Sequence, residues 1–429
     1  MYKIINIFHK LKSSHLVNDS FWALAGSALG KGLSLLSSIY IARFLGKEIF
    51  GEYGTIKNTL VYIAIVSTFG FGYSATKYVV EYLKSKNDRI SSLVQVVRII
   101  TLIFSIVLAF LFFVFAEQIS IFFDAPHIVG SLRISSFIVV VNAINATQIG
   151  ILSGFKVFKK IAINDICFGI VVFISSLILT YIYGLNGAII ALLISYTFQI
   201  ILNEIILRKE LLQYKGTRKL EIGRNEIKTM LKFSCPIALQ ESLYCVVHWL
   251  NTILIIKYGN YGEVGILSVS SQWVTLLLFI PSMLKNVIFS YMSSVDNREL
   301  LLKKLVIIYF VATFVPVLVV CLLSNQICNF YGVSFTFLKP VLIINVFSTI
   351  FIAVSEVYSY ELIVIGKPWQ VFYSRILRDS AILLVCMFLF IYTQFQESLI
   401  AVVISLFFNI IYLGILFLYY RRNQYVREE

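Results

Sequence analysis

The chain has 429 residues, of which 59% are hydrophobic and only 14% are charged. Soluble domains carry about 25% charged residues, and a soluble core of this length could not bury so much apolar surface. The composition excludes a cytosolic enzyme, a secreted disulfide scaffold and a disordered protein, and it predicts an all-α integral membrane protein with many spans. The six cysteines form no Cys-x-x-Cys pair, so we expect neither a metal site nor a cofactor.

Twelve apolar segments are each long enough to cross a bilayer, which takes about 20 residues of helix. They cover residues 19–44, 52–76, 95–117, 132–154, 162–183, 187–207, 233–257, 263–289, 304–325, 339–366, 370–393 and 397–420. The first segment begins too late and is too long for a cleavable signal peptide. Because every connecting loop is short, we expect no catalytic residues, and any function must be performed by the helices.

Basic residues alternate in density along the chain. Most of the 36 Lys and Arg residues lie near the N-terminus, after the even-numbered segments and at the C-terminus. Cytoplasmic loops of membrane proteins carry such an excess, so both termini are predicted to be cytoplasmic. The net charge of +14 is then explained by topology and by contact with membrane lipids, and no nucleic acid is expected as a partner.

Short motifs repeat between the two halves at a nearly fixed offset. Gly51-Glu52-Tyr53-Gly54 opens the second segment and Gly262-Glu263-Val264-Gly265 opens the eighth. Six segments return the chain to its starting side, so the halves would be parallel repeats around a central cavity, as is typical of transporters. We predict two six-helix lobes, residues 1–207 and 233–429, joined by a basic cytoplasmic linker at 208–232.

Polar residues of the first segment share one helix face. Ser27, Lys31 and Ser34 follow helical spacing, and Lys31 lies in the middle of the segment. A lysine at that depth costs roughly 2.5–3.5 kcal/mol unless it reaches water or a partner. We expect Lys31 to face an aqueous cavity, and a structural ion pair with an acid such as Glu241 is the alternative.

Other basic residues lie nearer the ends of their segments. Lys57 and Arg43 either line the same cavity or extend to the membrane surface. Arg375 and Arg378 lie near the predicted inner surface, where anchoring to lipid phosphate is expected. Lys31, Lys57 and Arg43 would together give the first lobe a cationic interior suited to an anionic headgroup.

Uncharged polar and acidic residues also occur within the segments, mainly in the second half. Such groups often only link helices, so a structural role and a role in binding sugar hydroxyls or coupling ions both stay open. His248, deep in its segment, is more often a satisfied interior residue than a proton relay. Together with Ser27 and Ser34, the candidates are Asn145, Gln240, Glu241, Tyr244, His248, Gln272 and Glu356.

Several stretches resemble the polysaccharide biosynthesis family of flippases, within the multidrug/oligosaccharidyl-lipid/polysaccharide exporter superfamily. They are Ile41-Ala42-Arg43-Phe44-Leu45-Gly46 with Phe50–Gly54, Phe69-Gly70-Phe71-Gly72 with Tyr73–Val79, Gly150–Lys156, and Lys232–Pro236. The first 80 residues carry the most specific likeness. The resemblance implies two six-helix lobes in a V around a central cavity, which Lys31 and Arg43 would line in the first lobe.

The resemblance also implies a function. Members of the family are flippases that move polyprenyl-diphosphate-linked oligosaccharides, such as the repeat units of O-antigen lipopolysaccharide or capsule, from the inner to the outer leaflet. This chain would do so in the bacterial plasma (inner) membrane by alternating access, with the polymerase and ligase of the same pathway as further partners. Lys31, Arg43 and Lys57 would bind the diphosphate.

Two alternative functions stay open. A cation-coupled drug antiporter of the same superfamily would need carboxylates in the first lobe, where Asp19 lies only at the entrance of the first segment. A membrane-embedded polysaccharide polymerase or acyltransferase would need a sizeable outer loop or a catalytic set of histidines and acids. The short loops and the single deep histidine, His248, disfavour an enzyme.

Overall fold

A computed structural model describes residues 15–68, 71–85, 89–214, 224–282, 298–365, 367–393 and 396–428. Every regular element in these ranges is helical, so the chain is an all-α membrane protein, as predicted. The α-helices are α1 His15–Ser67, α2 Phe71–Ser85, α3 Ile90–Val114, α4 Ala116–Phe122, α5 Val129–Gly154, α6 Phe158–Leu211, α7 Arg224–Tyr258, α8 Tyr261–Leu277, α9 Arg298–Leu322, α10 Ser324–Tyr331, α11 Leu338–Val364, α12 Pro368–Tyr392 and α13 Glu397–Glu428.

Two glycines divide the longest helices into pairs of spans. Gly46 in α1 (φ 76°, ψ 170°) and Gly184 in α6 (φ 56°, ψ −131°) leave the helical conformation. Their positive φ angles favour glycine, which has no Cβ to clash with the backbone. The predicted first segment and most of the second therefore lie on α1, and the fifth and sixth lie on α6.

Six helical stretches in the described residues are long and apolar enough to cross a membrane. They are Ile90–Val114, Pro126–Gly154, Phe158–Leu211, Glu299–Leu322, Leu338–Val364 and Glu397–Asn423. The stretch in α6 carries two predicted segments, and the remaining segments lie on α1, α7, α8 and α12. Residues 283–289 of the predicted eighth segment lie outside the described part of the chain.

The predicted second segment, 52–76, is not one continuous helix. Helix α1 ends at Ser67 and α2 begins at Phe71. The Ser67 hydroxyl donates to the Ala64 carbonyl at 2.7 Å, and the Thr68 hydroxyl donates to the Ile65 carbonyl at 2.8 Å. The Ala64 carbonyl also accepts from the Thr68 backbone amide at 3.0 Å, so two side-chain hydroxyls add hydrogen bonds to the last turn of α1. Hydropathy alone does not show such an ending, because the residues on both sides are apolar.

Contacts divide the chain into two compact units. The first unit comprises Met1–Phe44 and Ile56–Val246, and the second comprises Leu45–Thr55 and Val247–Glu429. The boundary between them falls inside α7, whereas the linker expected from the basic residues is 208–232. The middle of that linker, 215–223, lies outside the described residues, and the lobe boundaries drawn from the sequence stay a prediction.

Each unit has its own apolar core. In the first unit, Tyr78, Ile90, Leu93 and Met230 belong to a buried cluster that brings α2, α3 and α7 together. In the second unit, the fully buried Tyr309 of α9 packs against α11 and donates a hydrogen bond to the Pro281 carbonyl at 3.0 Å. Each unit therefore has its own rigid support for polar side chains.

Both copies of the repeated glycine motif lie in the second unit and pack on each other. A Cβ added to Gly51 would lie 2.6 Å from the Tyr261 carbonyl carbon and 3.1 Å from the Gly265 nitrogen. A Cβ added to Gly265 would lie 3.3 Å from the Gly51 nitrogen. The Gly262 amide also donates to the Glu48 carboxylate at 2.7 Å. Small residues let these backbones approach closely, as they do at many helix contacts in membranes.

Replacing a glycine of this contact should lower stability. In Gly51→Ala the new methyl group meets backbone atoms that cannot rotate away, and such overpacking costs about 1–3 kcal/mol. The matched control is Gly414→Ala in the same unit, where an added Cβ would meet nothing within 4 Å. Thermal unfolding of both variants in detergent tests this, and equal melting temperatures would contradict the close contact.

Candidate functional site

The candidate site is built around Lys31 on α1 and Asp165 on α6. Lys31 is exposed, and its ammonium group interacts electrostatically with the Asp165 carboxylate. The Ser27 hydroxyl, one turn before Lys31, donates to Asp165 Oδ2 at 2.6 Å. The carboxylate acting on Lys31 is therefore Asp165, whereas the sequence suggested Glu241, whose side chain lies outside the described residues.

Buried amides continue from Asp165 through the first unit. The Gln199 side-chain amide donates to Asp165 Oδ1 at 3.3 Å, and Gln199 Oε1 accepts from Asn145 at 2.7 Å. Asn145 Oδ1 accepts from Asn203 at 2.7 Å, and Asn203 Oδ1 accepts from Asn164 at 2.6 Å. Hydrocarbon offers these groups no partners, so the amides bind one another, and Gln199 connects them to Asp165.

Small residues bring α1 and α6 close enough for these contacts. A Cβ added to Gly26 would lie 2.5 Å from the Ala162 Cβ, and one added to Gly30 would lie 2.8 Å from the Asp165 carbonyl carbon. A Cβ on Gly169 would lie 2.9 Å from the Gly30 Cα. The glycines thus allow the backbone of α1 to lie directly on α6 beside Asp165.

The other cationic candidates, Arg43 and Lys57, also lie on α1. Arg43 is exposed on α1, about 18 Å from Lys31 along an ideal helix axis. Lys57 is half-buried and lies beyond the break at Gly46. Ser34 donates to the Gly30 carbonyl of its own helix at 3.0 Å. Through its electrostatic interaction with Asp165, Lys31 is joined to the network of buried amides.

The remaining candidates are dispersed over both units. Tyr244, in the first unit, lies near Tyr62. In the second unit, Gln272 is half-buried, and the Glu356 carboxylate accepts from the Tyr360 hydroxyl at 3.0 Å within α11. The side chain of Gln240, like that of Glu241, lies outside the described residues.

His248 lies beside a charged cluster in the second unit. It interacts electrostatically with Asp379, Arg378 and Arg375 of α12. The Arg378 guanidinium donates to Asp379 Oδ1 at 2.8 Å and to Asn409 Oδ1 at 3.3 Å, and the Arg378 and Asp379 side chains are only 13% and 11% exposed. The expectation that Arg378 anchors to lipid phosphate is therefore wrong, because partners inside the unit bind its guanidinium.

A second ionic cluster lies near the predicted inner end of the first unit. Glu204 forms ion pairs with Arg98 and with Arg208, the latter at 2.9 Å, and it accepts from the Gln148 amide at 3.2 Å. Lys160 pairs with Glu210. Among the described residues, no group of three His, Cys, Asp or Glu residues could hold a metal ion.

Reasoning from the sequence missed Asp165, Asn164, Gln199 and Asn203. A signal for them exists, because Asn164 and Asp165 are adjacent polar residues in an apolar stretch and Gln199 and Asn203 share a helix face one turn apart. Asp165 also supplies a carboxylate in the first unit, which the antiporter alternative requires and which the sequence reasoning placed only at Asp19.

The sequence also matches a known protein family, and this match does not depend on the geometry of the site. The family model described as "Polysaccharide biosynthesis protein" matches residues 16–296, more than half of the chain. No curated protein matches the chain.

Solved structures with the same fold come from transporters. A multidrug resistance MATE family transporter of the MOP superfamily, in an inward-facing conformation, has a TM-score of 0.72 at 14% identity, covering 94% of this chain and 98% of that chain. The lipid II flippase MurJ, in an inward closed conformation, has a TM-score of 0.71 at 17% identity, covering 94% of this chain and 87% of that chain. A MOP superfamily transporter from Pyrococcus furiosus has a TM-score of 0.68 at 15% identity, covering 96% of this chain and 96% of that chain. At these identities the likeness shows the fold.

Removing the central amide of the network should destabilise the first unit. Gln199→Leu removes the acceptor of the Asn145 side-chain N–H and one of the two hydrogen-bond donors to Asp165, which should lower the free energy of unfolding by about 1–2 kcal/mol. The matched control is Thr197→Val, since the exposed Thr197 hydroxyl donates only to the Leu193 carbonyl of its own helix. Unfolding by denaturing detergent measures the stability of both variants. An equal loss of unfolding free energy in the two variants would contradict a stabilising role of the amide network.

Proposed function

The chain belongs to the polysaccharide biosynthesis protein family, and we propose that it is a flippase for polyprenyl-diphosphate-linked oligosaccharide repeat units. It would move them from the inner to the outer leaflet of the bacterial plasma membrane, with both termini in the cytoplasm. The observation that carries this proposal is an exposed lysine in the middle of a predicted span, on which a hydrogen-bonded carboxylate, that of Asp165, acts electrostatically. The fold agrees with it, since that fold also occurs in a protein described as a lipid II flippase.

Lys31 is the proposed ligand of the diphosphate. An ammonium group binds phosphate oxygens as a compact charge on a flexible stem. At mid-depth in the membrane, such a group is costly and marks a substrate or ion pathway. Lys57 and Arg43 would add positive charge for the anionic group along its path.

The second unit would bind the sugars. Its half-buried His248, Gln272 and Glu356 offer donors and acceptors for hydroxyl groups. Ser27 and Asn145, which the sequence suggested for the same purpose, are instead committed to Asp165 and Gln199. We assign the sugar role to the second unit for that reason.

Transport would proceed by alternating access, with the polyprenyl tail remaining in the lipid. The membrane potential favours the outward direction, since each negative charge moved out of a cell with a negative interior gains about 2.3 kcal/mol per 100 mV. The polymerase and ligase of the pathway would act on the unit after it reaches the outer leaflet.

A cation-coupled drug antiporter is the second candidate, and Asp165 is the observation that favours it. A carboxylate in the first unit could bind the coupling ion or a cationic drug. Lys31 disfavours that use, because its positive charge already acts on Asp165. An embedded polymerase or acyltransferase has no comparable support, since the solved structures with this fold are described as transporters or a flippase.

Transport by reconstituted protein tests the flippase. In vesicles containing a polyprenyl-diphosphate oligosaccharide, Lys31→Ala should slow translocation at least about tenfold, because a hydrogen bond to a charged group is lost. Lys31→Arg should retain most of the rate, and Lys257→Ala, which removes an exposed lysine at the end of α7, should not change it.

The same vesicles separate the two candidate functions. Efflux of a cationic dye driven by a sodium or proton gradient, without translocation of the lipid-linked sugar, would support the antiporter and reject the flippase. Full translocation by both Lys31→Ala and Lys31→Glu would reject the role of Lys31.

A further inference from the structure

The Asp165 carboxylate has two neutral donors and one cationic neighbour. Ser27 donates to Oδ2 and Gln199 donates to Oδ1. Neither donor carries a charge, so the hydrogen bonds orient the carboxylate without neutralising it. The charged group that acts on Asp165 among the described residues is Lys31. The hydrogen bonds and the charge balance therefore come from different residues, and only the charge balance depends on Lys31.

Asp165 and Lys31 differ in their freedom to move. Asp165 is fixed at its backbone by the contact with Gly30 and at its carboxylate by Ser27 and Gln199. Gln199 is in turn fixed by Asn145. Lys31 is exposed and carries its charge on a four-carbon stem with several rotatable bonds. If the pair opens, we expect the ammonium group to move, because hydrogen bonds from Ser27 and Gln199 hold the carboxylate.

We propose that Asp165 is the positioning residue of the transport site: it holds the Lys31 ammonium group and competes for it with the anionic diphosphate of the substrate. This role rests on the proposed function. When the diphosphate is absent, Asp165 compensates the charge of Lys31 within the membrane. When it is present, Lys31 exchanges one oxygen anion for another, and Asp165 remains bound by Ser27 and Gln199.

Competition of this kind lowers affinity and speeds release. A diphosphate must displace Asp165 to bind Lys31, and Asp165 recaptures Lys31 as the diphosphate leaves. A transporter needs both effects, since a site that held a multiply charged anion too tightly would not release it into the outer leaflet. Asp165→Asn removes the competing charge with almost no change in shape, and it should therefore separate affinity from turnover.

Binding of inorganic pyrophosphate to the purified full-length protein, measured by calorimetry in detergent, tests the competition. Asp165→Asn should lower the Kd at least about fivefold, the lower end of ordinary coupling between sites. In translocation assays the same variant should lower both KM and kcat, whereas a structural defect would raise KM. Asp165→Glu should return the Kd toward the original value, and Glu117→Gln, which changes the net charge equally at an exposed position on α4, should leave it unchanged.

A zero-length cross-link tests the pair in the unmodified protein and does not depend on how a variant folds. A hydrophobic carbodiimide activates the Asp165 carboxylate, the Lys31 amine attacks the activated carbonyl, and an amide forms as the urea leaves. Mass spectrometry should detect this cross-link without pyrophosphate and a strongly reduced yield at saturating pyrophosphate. A yield that pyrophosphate does not change would overturn the competition.

The outcomes separate this inference from the proposed function. If Lys31→Ala abolishes pyrophosphate binding while Asp165→Asn binds as the original protein does or more weakly, the positioning role is wrong and the diphosphate site stands. If Lys31→Ala binds pyrophosphate normally, the diphosphate site at Lys31 and the positioning role of Asp165 are both wrong. Asp165→Asn should bind pyrophosphate more tightly, and the double variant with Lys31→Ala should lose that gain. This result would support both the diphosphate site and the positioning role.

Discussion

A charged side chain inside a membrane-spanning helix must find its partner within the protein, because hydrocarbon offers neither counter-ions nor hydrogen bonds. In the first unit this constraint ties Lys31 on α1 to Asp165 on α6. The carboxylate then requires its own donors, Ser27 and Gln199, and Gln199 requires Asn145. One charge thus determines the identity of buried residues on several helices.

The second unit meets the same constraint in a different way. Arg378 pairs with Asp379, the next residue in the chain, and donates as well to Asn409 on α13, so its donors are already committed inside the unit. Its guanidinium also lies 4.7 Å from the centre of the Tyr412 ring. A substrate could reach it only by breaking several contacts at once. Lys31 is exposed, and the carboxylate on another helix acts on it electrostatically, so a ligand can recruit Lys31 at lower cost than Arg378.

Close packing of backbones is the condition for both the site and the fold. Gly30 and Gly169 let α1 lie against α6 at the level of Asp165. In the second unit, Gly51 and Gly265 let the segment after Gly46 lie against the beginning of α8. Without a hydrophobic force between helices in lipid, contacts of this kind hold bundles together through van der Waals packing. The glycines therefore act on function indirectly, by fixing the distance across which polar groups meet.

Hydropathy and charge were sufficient to predict the class of the fold. Apolar runs of helical length and the uneven distribution of Lys and Arg follow from the thickness and polarity of a membrane, which are the same for every protein. The end of α1 at Ser67 could not be predicted in the same way, because the apolar segment predicted from hydropathy continues past it to residue 76.

The site shows a sharper limit. Helical periodicity placed Ser27 and Lys31 on one face of α1, but it carries no information on what that face meets. The partner, Asp165, is 138 residues from Ser27 in the chain and was overlooked as one polar residue in an apolar run. The two Gly-Glu-x-Gly motifs show the same limit of sequence reasoning, because their spacing predicts a repeat but does not predict that the two copies are in contact. A repeated motif indicates similar local surroundings. A contact between helices requires two complementary surfaces, and the sequence does not show which surfaces lie side by side.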